Sequence, residues 1–301
     1  MTVEQWVNPM DLPVSATRPA SLRGPRFFGR GATFDEVLMG VALLAGPANI
    51  IMELARPGVG YGVMESRVES GRADRHPIKR GRTTFTYLAV AWTGTDEQKK
   101  VYRQAVNKSH AQVYSTDESP VKYNAFDKDL QMWVAACLYK GAVDVTRIFI
   151  GEMDDEAADE FYRRGMALGT TLQVPAEMWP ADRAAFDEYW EESLEQVHID
   201  DTTREYLYPF ALGRLGAATL PGPLQRRADA FGLLITTGFL PQRFRDEMRL
   251  PWDAKHQRRF DRLMAVLRTV NNLLPRRLRQ FPFNLMLWDL DRRVRTGRAL
   301  V

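Results

Sequence analysis

Apolar residues recur at three- and four-residue spacing along most of the chain. Phe34, Val37, Leu38 and Val41 form the first such stripe and predict a helix over 33–45. Gly46-Pro47 should break it before a second helix over 48–55, which Pro57 then stops. Gly58, Gly60 and Gly62 read as a close chain passage, and 67–75 as a polar surface loop. Thr95-Asp-Glu-Gln has the form of a capping box and opens a helix over 95–113, with an apolar face on Tyr102, Val106, His110 and Val113. His110 is therefore expected to point inward. The helix predicted over 127–149 is apolar nearly all round between Met132 and Tyr139, as a central helix is. Further helices are signalled over 154–167, 181–196, 202–212, 223–236, 253–273 and 285–296. No run of alternating strands with hairpin turns occurs, so the fold is read as all-α.

Several Pro and Gly without a period mark 1–31 as an irregular N-terminal arm. A single helical domain over 32–275 follows, with a basic C-terminal segment over 276–301. At 301 residues and 45% hydrophobic content, the chain is long enough to hide roughly 75% of the surface it exposes when unfolded. Forty-one Lys and Arg stand against 38 Asp and Glu, a net charge of +3 that does not point to nucleic acid. The exception is local: seven arginines lie between Arg276 and Arg298 against Asp289 and Asp291. That patch faces water, an acidic ligand group or, as a peripheral contact, a phospholipid surface. The start of the chain lacks a basic n-region and an apolar h-region, and the apolar stretches fall short of the ~20 residues that span a bilayer. A cytoplasmic protein is expected.

The candidate chemistry is narrow. Cys137 is the one cysteine, so an intrachain disulfide, a Cys₂His₂ zinc site and an iron–sulfur cluster are all ruled out. The histidines, at 76, 110, 198 and 256, form no His-Glu-x-x-His, and Gly-x-Ser-x-Gly and a phosphate-binding glycine loop are absent. A lone inward histidine does suit haem, because the porphyrin supplies four nitrogens and the protein one strong axial donor. His110 is that candidate; the same pattern also describes a core histidine bonded to a backbone carbonyl. Arg80, Arg82, Thr83 and Thr84 stand where a polar linker meets an apolar helix. There they can neutralise a propionate and hydrogen-bond bound oxygen, or simply cap a helix. Tyr123 and Trp133 can pack against a cofactor or serve as plain core.

With those residues in place, the chain resembles the family of MpaB-type oxygenases and bacterial rubber oxygenases (latex clearing proteins) over roughly 25–250. The likeness rests on Gly46-Pro-Ala-Asn-Ile-Ile-Met-Glu-Leu-Ala-Arg-Pro57, Arg80-Gly-Arg-Thr-Thr84 with Tyr87-Leu88, and Gly94-Thr95. It continues through the His110 helix, Tyr123-Asn-Ala-Phe-Asp127 with Trp133-Val134, and Val174-Pro-Ala-Glu-Met-Trp-Pro-Ala-Asp182. The resemblance implies a distantly globin-like core that holds haem b through His110 as the iron ligand and uses O₂ to cleave C=C bonds in isoprenoid chains. It also implies an arginine and a Lys-Thr pair on the distal side, with an upstream glutamate as base. Arg80 and Thr84 match the arginine and threonine, Thr83 stands in place of the lysine, and Glu65 matches the glutamate loosely. Ala135 replaces a second histidine of relatives. The expected function is a haem b-dependent oxygenase acting on a small hydrophobic substrate. Arg80, Thr83, Thr84 and Glu65 are its catalytic candidates, and His110, Arg80, Arg82, Tyr123 and Trp133 hold the cofactor, with Cys137 in the pocket wall. The alternative is a non-catalytic helical protein that binds haem or a hydrophobic ligand.

Overall fold

The computed structural model describes residues 38–68, 77–214 and 220–301. The expected arm over 1–31, the helix start at Thr33, Phe34 and Val37, most of the polar loop, and His76 lie outside the described residues. Among the described residues every regular element is helical, and the only extended pairing is an isolated bridge between Tyr114 and Asn124. The fold is an all-α single helical domain, as the apolar spacing predicts.

A 3₁₀ turn (Gly40–Ala45) leads into α1 (Gly46–Leu54), so Gly46-Pro47 opens this helix rather than separating two. Pro47 falls in the first turn, where its missing N–H is harmless. Pro57 likewise ends α1 by opening α2 (Pro57–Met64), the stretch read from sequence as a glycine passage. Glycine costs a helix about 1 kcal/mol relative to Ala, and packing overrides that preference here. A Cβ at position 60 would lie 2.6 Å from the Leu54 carbonyl oxygen, an approach only glycine allows.

Next come α3 (Pro77–Thr93) and α4 (Asp96–His110). Because α3 starts at Pro77, Arg80 to Thr84 belong to its body and not to a linker. In α4 the Thr95 hydroxyl accepts from the Gln98 N–H while the Gln98 side chain accepts from the Thr95 N–H, the reciprocal cap that the sequence announced. The helix ends at His110 itself.

The central element is α5 (Lys128–Phe149), capped by the Asp127 carboxylate. It packs against α1 on one side and, further along the chain, against α7 (Ala167–Thr170) and α12 (Ala254–Leu273). Tyr139 sits among Phe161, Tyr162, Trp179 and Phe186, with ring centroids 4.8–5.9 Å away. Those partners bring in α6 (Asp155–Gly165) and α8 (Arg183–Leu194). Trp179 and the Asp182 cap of α8 give the Val174–Asp182 stretch a structural role. Trp133 is fully buried, stacks on Trp190 and Phe244 at 5.3 and 6.3 Å, and donates its indole N–H to the Glu53 carbonyl at 3.0 Å. It therefore ties α5 to α1, to α8 and to α11 (Gln242–Glu247). Trp133→Ala should cost about 3–5 kcal/mol, read as a lower urea midpoint with an unchanged slope.

The remaining helices are α9 (Asp201–Ala211), α10 (Gly222–Phe239), α13 (Arg276–Arg279) and α14 (Phe283–Arg295). The last of these lies along α3. Leu290 packs with Val90 and Tyr102, and the Phe283 ring meets Phe85 edge-on at 5.8 Å. The short α11 and α13 carry too few turns to show a period and are not visible in the apolar pattern.

Candidate functional site

Helices α1 to α5 line a half-open cavity of about 290 Å³, to which α7 adds Leu168 and Gly169, with Leu172 and Val301 beside them. Its apolar walls include Val59, Val63, Val106, Val134, Leu138 and Leu172. Val134 and Leu138 are only partly covered, although α5 is otherwise deeply buried around them, because they face this space. Of the residues singled out from sequence, Arg80, Thr83, Thr84, His110 and Tyr123 meet in the cavity wall.

His110 is the last residue of α4, and its ring lies edge-on to Phe126 at 6.2 Å. Its Nδ1 is buried without a hydrogen-bond partner among the described residues. An ordinary core histidine gives such a nitrogen to a carbonyl, so this atom stands out. Burial, and then the charge of Arg80, hold its pKa down to about 4. The imidazole is consequently neutral at pH 7, the form that donates to a metal.

Arg80 donates from Nη1 to the Thr84 hydroxyl oxygen at 2.9 Å. A hydroxyl that accepts in this way keeps its own proton to donate elsewhere. The Thr83 hydroxyl instead donates to the Lys79 carbonyl at 3.0 Å, one turn back in the same helix. The Thr83 carbonyl accepts from Tyr102 Oη at 2.6 Å. Position 83, where the resemblance calls for a lysine, thus holds a short side chain engaged with its own backbone.

The other three residues stand elsewhere. Arg82 faces α14, with Nη1 3.9 Å from Asp289 Oδ2. Trp133 packs behind α1, as described above. Glu65 is exposed just past the end of α2, where its Oε2 accepts from Ser119 Oγ at 2.6 Å and from Tyr123 Oη at 2.7 Å. None of the three lines the cavity. Cys137 is also enclosed by protein rather than set in the lining, and burial, followed by the charge of Glu53, raises its thiol pKa. His198 is exposed beside Glu247, and His256 pairs with Asp253 at 2.8 Å.

Glu53 is the residue that sequence reading missed. It projects from α1 into the cavity wall, and burial raises its pKa to about 7 even though the positive charge of Arg80 acts in the opposite direction. The signal was available as one charge inside the apolar run from Ile50 to Ala55. Glu53 and His110 both feel the charge of Arg80, which couples these three side chains across the cavity.

Among the described residues no three His, Cys, Asp or Glu side chains gather as ligands for a bare metal ion. A porphyrin needs only one protein donor. A neutral imidazole with an unpartnered nitrogen, an arginine and apolar walls fit that requirement; His110 would be the donor and Arg80 the partner for a propionate.

Fold and cavity together define, among the described residues, an all-helical domain with a half-open chamber of mixed lining. The chain belongs to the family described as ER-bound oxygenase mpaB/B'/Rubber oxygenase, catalytic domain, which matches residues 36–269. It is 51% identical over 259 residues to an uncharacterized protein of Mycobacterium bovis and to another of Mycobacterium tuberculosis, covering 86% of this chain and 100% of each relative. No solved structure matches the chain at a significant level.

Proposed function

We propose that this protein is a haem b-dependent oxygenase that directs O₂ onto a hydrophobic substrate of isoprenoid, polyene or lipid-like character. The observation that carries the reading is His110, a neutral inward imidazole with an unpartnered Nδ1 in the wall of a largely apolar cavity. Membership of an oxygenase family supports it. When bound, haem b supplies the iron chemistry that activates O₂. His110 furnishes the protein's donor, and Arg80 offers a fixed cation to a propionate or to negative charge that develops in the chamber. The Thr84 hydroxyl, oriented by Arg80, holds a proton ready to donate. Glu53 takes the acid–base role that Glu65 holds in the resemblance, because its pKa near 7 populates both protonation states at neutral pH. The valine and leucine walls receive the apolar body of the substrate.

A second reading, a non-catalytic binder of haem or a hydrophobic ligand, is favoured by the short, self-bonded Thr83 and by the placing of Glu65 outside the chamber. Two measurements separate them. Protein expressed with haem precursor should show a Soret band and about one haem b per chain in a pyridine haemochrome assay. It should then consume O₂ only when a polyene or isoprenoid is supplied. Haem without lipid-dependent O₂ uptake establishes the binder, whereas a colourless protein that also refuses haemin overturns both haem readings.

A further inference from the structure

Positive charge in this chain is concentrated at one end. Between Ala254 and Val301 twelve Lys and Arg stand against three Asp, although the whole chain carries only +3. The same stretch exposes a run of large apolar side chains: Val266, Val270 and Leu273 on α12, Leu278 on α13, Phe281, and Leu285 and Trp288 on α14. Leu278, Phe281 and Trp288 are 59, 55 and 58% exposed. Scattered exposed leucines are ordinary on a protein surface, but a sequence of them flanked by cations is not. On α12 the exposed Arg262 continues the face of Val266 and Val270, and on α14 the guanidinium of Arg292 covers the Trp288 ring at 5.4 Å.

We propose that this segment, from the end of α12 through α14, docks on an anionic phospholipid surface. Aliphatic and aromatic side chains enter the boundary between head groups and acyl chains, while arginines beside them meet lipid phosphates. Tryptophan is the side chain best suited to that boundary. A nucleic acid would reward the arginines but not the exposed Leu, Phe and Val. A symmetric pairing with a second copy would set one arginine-rich patch against another, because a two-fold interface presents the same surface from both sides. Among the described residues no helix is long and apolar enough to cross a membrane, so the contact proposed is peripheral.

The site connects to the chamber. α14 lies along α3, which carries Arg80, Thr83 and Thr84, and Val301 is itself part of the cavity wall. A docked molecule therefore brings the chamber close to a reservoir of apolar molecules. The docking itself rests on the surface alone and not on the proposed oxygenase reaction.

The test is cosedimentation of the full chain with vesicles of phosphatidylcholine, with and without 30 mol% phosphatidylglycerol. The expected result is at least tenfold stronger partitioning onto the anionic vesicles, weakened by 0.5 M salt, which shortens electrostatic reach. The double variant Phe281→Ser, Trp288→Ser should lose at least tenfold of that partitioning with unchanged helical circular dichroism. These two side chains are exposed, so their replacement leaves the α3–α14 packing in place, whereas deletion of 276–301 would strip it away. Equal weak sedimentation with both vesicle types overturns the proposal. So does anionic binding that the double variant leaves intact. A dimer dispersed by the double variant, with no vesicle binding, assigns the segment to a second copy instead.

Discussion

His110→Ala should yield a folded protein that emerges nearly colourless from expression with haem precursor. Removing a residue behind a metal ligand weakens binding by about 10–100-fold in well-studied sites, so removal of the donor itself should cost at least that much. The substitution falls in a cavity wall and not in a packed core, and the capping box at the far end of α4 is untouched. Thermal unfolding of the haem-free variant should consequently stay close to that of the haem-free parent. His110→Gly supplied with imidazole should regain the Soret band, which distinguishes loss of a donor from loss of the fold. Full haem occupancy and an unchanged spectrum in His110→Ala would place the ligand elsewhere.

Glu53→Gln has the second largest expected effect, and its sign depends on pH. The pKa of Glu53 rises from 4.5 to about 7 on folding. Below pH 4.5 the carboxyl is protonated in both folded and unfolded chains and contributes no difference. As pH climbs through that interval the unfolded chain ionises first, so stability is lost, by up to roughly 3 kcal/mol once pH exceeds the folded value. Glutamine has no proton to lose. The variant should match the parent near pH 4.5 and exceed it by about 1–3 kcal/mol at pH 8, measured by urea titration at both values. Catalysis should move the other way, with kcat/KM falling by about 10²-fold and an inflection near pH 7 disappearing. A variant that keeps the parent's stability slope across pH 5–8 would show that Glu53 is not the group that titrates.

The helices were legible where the sequence carried both a cap and a period. Thr95 with Gln98 and the Asp127, Asp182 and Asp253 caps fix starts that the structure reproduces within a residue or two. α2 was not legible, because three glycines in eight residues argue against a helix that only close packing justifies.

The site divides in the same way. Arg80, Thr83, Thr84 and Tyr87 are spaced by three, four and seven residues and share one face of α3, whereas Arg82, two residues on, must look elsewhere. On α5 the chamber takes Leu130, Gln131, Val134 and Leu138, leaving Trp133 on the opposite side. Helical spacing could therefore have removed Arg82 and Trp133 once His110 was taken as the centre. Nothing local could have removed Glu65, whose position depends on where α2 stops, and Glu53 was concealed by the apolar company that also gives it its raised pKa.

Cys137 gives the fold a built-in gauge of its own opening. The chain's one thiol lies at the middle of the innermost helix, wholly covered and held in its unreactive protonated form. A thiol reagent reaches it only when α5 separates from its neighbours. The rate of alkylation thus counts excursions of the whole core, with no label to introduce, and a ligand that fills the chamber beside it should register as a slowing of that count in proportion to how firmly it holds the helices together.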